Sequence, residues 1–138
     1  PTPTPAPAPS TGATGAALGA MNYALARQGY PYSWGGTGPS SYDCSGLMMA
    51  AYASQGISIG RTTYQQCVRG IAVSWDQLLP GDLLFWCTLS GAQPSHVGMY
   101  IGNGLMIHAG TSATSVIVSN INTSYWIQKR YCARRVSY

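Results

Sequence analysis

Residues 96–109 read HVGMYIGNGLMIHA, a pattern typical of two β-strands joined by a tight turn. Residues 102–104 supply the turn, and its length fixes how the two strands pair. A two-residue turn would mix His108 into an apolar face, whereas a three-residue loop places Gly98 opposite His108 and separates polar from apolar side chains. The three-residue loop is therefore expected, because a sheet with one buried face favours the segregated pattern.

In this register His96 and His108 share one face of the hairpin, diagonally across neighbouring strands and within side-chain reach of each other. The chain has two histidines, so an imidazole base must come from this pair. The opposite face is apolar and is formed by Val97, Met99, Ile101, Leu105, Ile107 and Ala109.

Residues 41–47 read SYDCSGL, and the segment that follows has the composition of a helix. Cys44 then lies at the helix start, with Asp43 as a candidate N-cap residue. Unpaired backbone N–H groups and the helix dipole favour a thiolate there. Cys44 is predicted to be a nucleophile and His96 the base that takes its proton. His108 is predicted to orient His96 through its other ring nitrogen.

Two other roles for these side chains stay open at this stage. The histidines could bind a metal together with Cys44, although the short histidine spacing of zinc sites and a nearby carboxylate are missing. Cys44 could instead belong to a disulfide, since four cysteines allow two structural disulfides. If Cys44 is the nucleophile, one disulfide can form among Cys67, Cys87 and Cys132, and the sequence leaves its pairing open.

The composition indicates one globular domain, with 138 residues of which 46% are hydrophobic. Only 7% of the residues are charged, and the net charge of +4 suits a protein that acts near anionic polymers. The basic segment 129–135 lacks the features of a nucleic-acid-binding surface, so no nucleic acid is expected as a partner. Arg134 and Arg135 are instead expected on a solvated edge strand guarded by charge. No stretch is long and apolar enough to cross a membrane.

Residues 1–9 alternate Pro with Thr or Ala, and residues 1–13 are predicted to form an extended tether that joins an upstream targeting domain to the domain 14–138. The few acids, the many small polar residues and the tether favour secretion. Helices are predicted at 14–28 and 44–55, with a helical turn at 62–67. Strands are predicted at 83–87, 96–101, 105–109, 115–119 and 131–136. Helices followed by a run of strands indicate an α+β fold with an antiparallel sheet of five to six strands.

Six short motifs resemble those of the NlpC/P60 family of cell-wall peptidases, which are papain-like in architecture. In chain order they are YSWGG (32–36), YDCSGL (42–47), RTTYQQ (61–66), LPGDLLF (79–85), SHVGMYIG (95–102) and MIHA (106–109). The match covers almost everything after the tether. The resemblance implies N-terminal helices packed on the sheet. It also implies a cysteine endopeptidase that cuts peptidoglycan stem peptides, commonly between γ-D-glutamyl and a diamino acid.

The resemblance implies the same nucleophile, base and third polar residue as the hairpin does. It further implies that Tyr32 lies beside the nucleophile, where its hydroxyl would help the Cys44 backbone N–H to hold a tetrahedral oxyanion. Asp43 and Ser45 look like the pair that recognises the free amino end of the stem peptide. For Asp43, the alternative is a plain N-cap role.

Arg61, Trp34 and Ser95 complete the predicted substrate-binding residues. Arg61 would meet a substrate carboxylate, with a structural ion pair as the alternative. No cofactor and no metal is expected, the partner is a peptidoglycan stem peptide, and the domain is expected to act as a monomer in the extracellular cell wall. Two alternative functions stay open: a non-catalytic wall-binding module, and a related thiol amidase or acyltransferase.

Overall fold

The computed structural model describes residues 15–89, 93–110 and 115–137, so the predicted tether lies outside the described residues. Its helices are α1 (Gly15–Leu25), α2 (Cys44–Ala53), α3 (Thr63–Gln66) and α4 (Ser124–Ile127). None of these described helices has the length and apolar character needed to cross a membrane. The strands are β1 (Ile71–Val73), β2 (Leu83–Trp86), β3 (His96–Gly102), β4 (Leu105–Gly110), β5 (Ser115–Asn120) and β6 (Arg130–Arg135).

The six strands form one antiparallel sheet in the order β1-β6-β2-β3-β4-β5, which confirms the predicted α+β class. Helices α1 and α2 pack together on one face of the sheet, with α2 against β3 and β4. The core on this face contains Leu47 and Met48 from α2 and Val97, Met99 and Ile107 from the hairpin, all fully buried. Helices α1 and α2 therefore pack on the face of the hairpin that was predicted to be apolar.

A second core covers the opposite face of the sheet, centred on the fully buried Trp86 of β2. Its ring contacts those of Trp75 and Trp126, with centroid distances of 5.0 Å and 4.8 Å. Trp126 comes from α4, which the sequence did not predict, and neither did it predict β1. Both elements have too few residues for a periodic pattern to stand out.

The hairpin register is the one that the segregation of side chains predicted. Met99 pairs with Ile107 and Tyr100 with Met106, so the two histidines lie on one face. The face that carries them packs against the tryptophan cluster, whereas the alternate residues pack against α1 and α2. The period of two thus sets which side chains meet across the sheet.

The prediction of a three-residue loop is wrong, although the strands pair as predicted further from the turn. Gly102 pairs with Leu105, which leaves a two-residue turn of Asn103 and Gly104, with φ angles of 58° and 76°. An irregularity between Tyr100 and Gly102 takes up the extra residue. Asn-Gly therefore makes the tight turn that it favours, and the bulge restores the register that the buried face requires.

The expectation that Arg134 and Arg135 occupy an exposed edge strand is also wrong, because β6 lies between β1 and β2. Arg135 forms an ion pair with Asp82, in which Nε and Nη2 donate to the two carboxylate oxygens at 2.9 Å and 2.8 Å. The Arg134 guanidinium donates from Nε to the Cys67 carbonyl at 2.8 Å. The three-residue strand β1 pairs with the outer side of β6. The side chains of Arg134 and Arg135 therefore connect β6 to the end of α3 and to the turn that contains Asp82.

Candidate active site

Helix α2 starts at Cys44 because Asp43 caps it, as predicted. The Asp43 backbone is extended, and its carboxylate accepts a hydrogen bond from the Gly46 N–H at 2.6 Å. This cap satisfies one of the N–H groups that a helix start leaves unpaired. Cys44 follows directly, half-buried and packed against the core beside Tyr32.

The sulfur of Cys44 does not have the lowered pKa that its position at a helix start predicts. Burial raises the pKa of the thiol and is the largest effect, although hydrogen bonding by the backbone of Val97, of Ser45 and of Cys44 itself lowers it. The N–H groups thus act in the predicted direction, but loss of hydration outweighs them. Cys44 is therefore a neutral thiol in the free protein and needs a base to become a nucleophile.

The two histidines form a direct hydrogen bond, with 2.7 Å between Nε2 of His96 and Nδ1 of His108. His96 begins β3, and Val97, whose backbone hydrogen-bonds to the Cys44 sulfur, is the next residue. Gly98 is needed beside this pair, because a Cβ there would lie 2.6 Å from the Met106 sulfur and 3.2 Å from the His108 Cβ. His96 and His108 thus lie within side-chain reach of each other, as the hairpin register predicted.

Trp126 of α4 also contacts both histidines, a position that no sequence pattern indicated. Its ring stacks on His96 with a centroid distance of 5.8 Å and meets His108 edge-on at 5.5 Å. Helix α4 owes its position to a Thr123 cap, whose hydroxyl accepts the Trp126 N–H. A single tryptophan in a four-residue helix has no pattern that links it to histidines elsewhere in the chain.

Both histidines are neutral at pH 7. Burial lowers the pKa of His96 to about 3, and repulsion from His108, once His108 is protonated, adds to the effect. Burial also lowers the pKa of His108 to about 4. The two imidazoles are therefore uncharged at rest, and a positive charge on either of them needs stabilisation from its surroundings.

These lowered pKa values predict acid sensitivity of the fold. The unfolded histidines bind protons below an ordinary pKa of 6.5, whereas the folded ones stay neutral until about pH 3 to 4. The free energy of unfolding then has its full value above pH 6.5. It falls as the pH drops, by about 2 kcal/mol per histidine at pH 5. Urea unfolding at pH 7.5 and 5.0 measures this loss. His108→Gln should remove about half of the pH dependence, and an equal loss in parent and variant would contradict the assignment.

Asp43, Ser45 and Arg61 form a hydrogen-bonded cluster next to Cys44 in the chain. Arg61 Nη2 donates to Asp43 Oδ2 at 2.8 Å, and Arg61 Nη1 donates to Ser45 Oγ at 2.9 Å. The Gly35 N–H donates to the same carboxylate at 3.1 Å. Of the two roles considered for Arg61, the structural ion pair is therefore the one observed. Whether Asp43 and Ser45 recognise the amino end of a stem peptide stays a prediction.

Gln66 supports this cluster from α3, a role that sequence reasoning missed. The side chain is fully buried, and its amide nitrogen donates to the carbonyls of Ser45 and Gly60 at 2.9 Å and 3.0 Å. Arg61 begins the segment that leads into α3, whose capping box by Thr62 and Gln65 is complete. Gln66 lies in the motif RTTYQQ, but nothing local shows that its partner is the helix start.

The remaining predicted residues occupy different positions. Tyr32 lies near Cys44, and burial raises the pKa of its hydroxyl, with the charges of Cys44 and Asp43 adding to the effect. Trp34 is 91% exposed in the loop before α2. The Ser95 hydroxyl accepts a hydrogen bond from the Thr88 backbone N–H at 2.8 Å, and so it stabilises the segment that follows β2. Because its pKa is raised, the Tyr32 hydroxyl stays protonated at neutral pH and can donate a hydrogen bond.

A cavity of about 300 Å³ opens on the histidine side of the sheet. Its lining is uncharged among the described residues and includes Thr88, His96, His108, Ser119, Tyr125 and Trp126. Groups bound there would contact His96 and His108 directly.

Two further observations concern the metal-binding and disulfide roles that the sequence left open for Cys44. No group of three potential metal-ligating side chains occurs in ranges 15–89, 93–110 and 115–137. Cys44, Cys67, Cys87 and Cys132 are all free thiols in the structure. The Cys132 sulfur lies 4.0 Å from the Cys67 carbonyl oxygen, so these two cysteines are neighbours across α3 and β6.

Helices on one face of an antiparallel sheet, with a cysteine at a helix start and histidines on the adjoining strands, define a papain-like domain. The model of the NlpC/P60 family matches residues 29–135. The chain belongs to the NlpC/P60 family, as its six motifs predicted.

Relatives of known sequence or structure agree with this assignment. A probable endopeptidase of Mycobacterium tuberculosis is 38% identical over 124 residues, which are 90% of this chain and 30% of that protein. The gamma-D-glutamyl-L-lysine dipeptidyl-peptidase of Bacillus cereus is 39% identical over 123 residues, 88% of this chain and 37% of that protein. The solved peptidoglycan hydrolase RipB of M. tuberculosis has a TM-score of 0.79 at 30% identity, over 95% of this chain and 70% of that one. The chain thus spans about a third of the length of these two curated relatives.

Proposed function

We propose that this domain is a secreted cysteine endopeptidase that cleaves peptidoglycan stem peptides, at the bond between γ-D-glutamyl and a diamino acid. The observation that carries the proposal is the 2.7 Å hydrogen bond between His96 and His108, on the strand whose next residue, Val97, reaches the Cys44 sulfur. A buried thiol and a neutral imidazole held by a second side chain are the parts that thiol acyl transfer needs.

In the proposed reaction, Cys44 Sγ attacks the γ-glutamyl carbonyl carbon while its proton passes to Nδ1 of His96. The carbonyl electrons move to the oxygen, where the Cys44 N–H and the Tyr32 hydroxyl stabilise the negative charge. Collapse of this intermediate breaks the C–N bond, and the leaving amine takes the proton from His96. Water then attacks the thioester with His96 as base, which releases the acid and restores the thiol.

Two features support the choice of substrate. The net charge of +4 favours approach to an anionic wall polymer. The B. cereus relative, by its name, acts on a γ-D-glutamyl-L-lysine bond.

The leaving diamino acid must lie near His96 to receive its proton, and the cavity of about 300 Å³ on the histidine side offers that space. Asp43 and Ser45 are then proposed to meet the amino end of the peptide across Cys44.

Digestion of defined muropeptides, followed by mass spectrometry, tests the proposal. One substrate set should carry meso-diaminopimelate and another L-lysine, each with and without a free N-terminal L-Ala. We expect products that end in D-glutamate and products that begin with the diamino acid. Release of the intact stem from the sugar would instead identify an amidase, transfer to an added amine would identify an acyltransferase, and binding without products would identify a wall-binding module.

Tyr32→Phe tests the proposed oxyanion site. The variant loses one of two hydrogen-bond donors to the developing negative charge, so kcat should fall roughly 100-fold with little change in KM. Steady-state kinetics on a cleaved muropeptide measures both constants. Tyr30→Phe is the matched control, because Tyr30 lies at the start of the same loop and is more exposed. A Tyr32→Phe variant with the parent's kcat would remove Tyr32 from the mechanism.

A further inference from the structure

The histidine pair continues to a third side chain that none of the predicted roles includes. Nε2 of His108 lies 2.8 Å from the Ser119 hydroxyl oxygen. Ser119 lies on β5, the last strand in the order of the sheet, and pairs with Met106, two residues before His108. Such diagonal neighbours on adjacent strands are within side-chain reach. The hydrogen bonds therefore run from His96 through His108 to Ser119.

The protons in this chain of hydrogen bonds can be arranged in two ways, because neutral imidazole has one N–H donor and one acceptor nitrogen. If Ser119 accepts from His108 Nε2–H, then His108 Nδ1 must accept from His96 Nε2–H. His96 Nδ1 then has a free lone pair. If Ser119 donates to His108 instead, every proton shifts, and Nδ1 of His96 has a hydrogen and no lone pair. Only the first arrangement leaves His96 able to take a proton from Cys44.

We infer that Ser119 is a positioning residue that selects the catalytic tautomer of His96 through His108, an inference that rests on the proposed function. In this state the Ser119 oxygen accepts the His108 Nε2–H, and its own hydrogen points elsewhere. When Cys44 loses its proton to His96, the new imidazolium still donates through Nε2 to His108. The Ser119 oxygen then polarises His108 and makes its Nδ1 a better acceptor for that charge.

The Ser119 hydroxyl oxygen is an important acceptor because of the side chains that surround His108. The titratable side chains that face His108 are His96 from β3 and, across the cavity, Tyr125 from α4. Trp126 from the same helix meets it edge-on. No carboxylate lines the cavity among the described residues, so the hydrogen bonds from His96 through His108 to Ser119 help to stabilise the positive charge that develops on His96 beside the Cys44 thiolate and the stacked Trp126 ring. Loss of the Ser119 hydroxyl would leave the His108 Nε2–H without its side-chain acceptor, which weakens the hydrogen bonds that extend to His96.

The test measures the reactivity of Cys44 without a peptidoglycan substrate. Iodoacetamide alkylates the thiol as its sulfur displaces iodide and its proton passes to His96, and peptide mass spectrometry separates Cys44 from the other three cysteines. We expect Ser119→Ala to slow alkylation at neutral pH roughly 10- to 100-fold, and kcat on a muropeptide by a similar factor with little change in KM. Ser119→Thr keeps the hydroxyl and should restore both rates. Ser74→Ala is the matched control, since the hydroxyl of this serine donates to the exposed Asp76 carboxylate at the surface.

The pH profile separates this positioning role from a general defect in folding. Well above the thiol pKa, Cys44 ionises without help from His96, so Ser119→Ala and the parent should then be alkylated at equal rates. A lower rate at every pH, or a Ser119→Thr variant as slow as Ser119→Ala, would overturn the inference. So would a Ser119→Ala variant that reacts as fast as the parent at neutral pH. If Ser119→Ala slows alkylation but the parent cleaves no muropeptide, the relay stands and the proposed substrate fails.

Discussion

Replacement of Cys44 by alanine is expected to abolish stem-peptide cleavage, with kcat reduced roughly 10⁴-fold or more. The variant lacks the sulfur that forms the thioester, and no other cysteine shares the helix start. The neighbouring cluster of Asp43, Ser45 and Arg61 is unaffected by the change, so binding of the uncleaved peptide should persist. Product formation measured by mass spectrometry and peptide binding measured by calorimetry give the two results.

Cys44→Ser provides a second and sharper form of this prediction. The hydroxyl fills nearly the same space, but an alcohol is a much weaker acid and a weaker nucleophile than a thiol, so it depends far more on a strong base than Cys44 does. The serine variant should therefore be as inactive as the alanine variant. Cys87→Ala is the matched control, because Cys87 is a free thiol at the end of β2 and should be dispensable. Cleavage by Cys44→Ala at the parent's rate would refute the thiol mechanism.

The parts of the site that the sequence predicted depend on local rules. The segregation of apolar and polar residues in the hairpin fixed the register, and the register placed His96 and His108 on one face. Asp43 before Cys44 is a capping signal within a single turn of chain. Each of these inferences needs only the neighbouring residues, and side-chain geometry in strands and helix starts is the same in most folds.

The parts that the sequence missed depend on packing between distant segments. Trp126 and Ser119 reach the histidines only because α4 and β5 lie where the sheet puts them. The pKa of Cys44 rises because burial, which tertiary structure determines, outweighs a helix start that the sequence does reveal. Arg135 was assigned to an exposed edge because its partner, Asp82, lies more than fifty residues earlier in the chain.

Asp82→Ala is expected to destabilise the fold by about 3–5 kcal/mol, the usual cost when one partner of a buried ion pair is removed. The carboxylate is almost fully buried, accepts two hydrogen bonds from Arg135 and a third from the Leu79 N–H at 2.8 Å. The variant leaves the Arg135 guanidinium, which is mostly buried, without its countercharge. Urea unfolding at pH 7.5 measures the difference in free energy of unfolding.

The size of this loss reflects how many elements meet at the turn that contains Asp82. The Tyr52 hydroxyl of α2 donates to the Gly81 carbonyl at 2.6 Å, and burial together with the Asp82 charge raises the Tyr52 pKa, so the donor stays protonated. Gly81 has a φ of 96° and packs so closely on Ala17 of α1 that a Cβ would lie 2.6 Å from the alanine Cβ. The turn therefore joins α1, α2 and the sheet, and a change there is felt by all three.

Two comparisons decide whether the ion pair is structural. Asp76→Ala removes an exposed aspartate that is bonded to Ser74, and it should change stability by less than about 0.5 kcal/mol. Asp82→Leu combined with Arg135→Met removes both charges and should recover much of the loss, because no unpaired ion is left buried. The folded fraction of Asp82→Ala should cleave muropeptides with the parent's kcat, since the turn lies away from Cys44. A loss below about 1 kcal/mol would show that solvent replaces the carboxylate readily, and the buried ion pair would then contribute little to the fold.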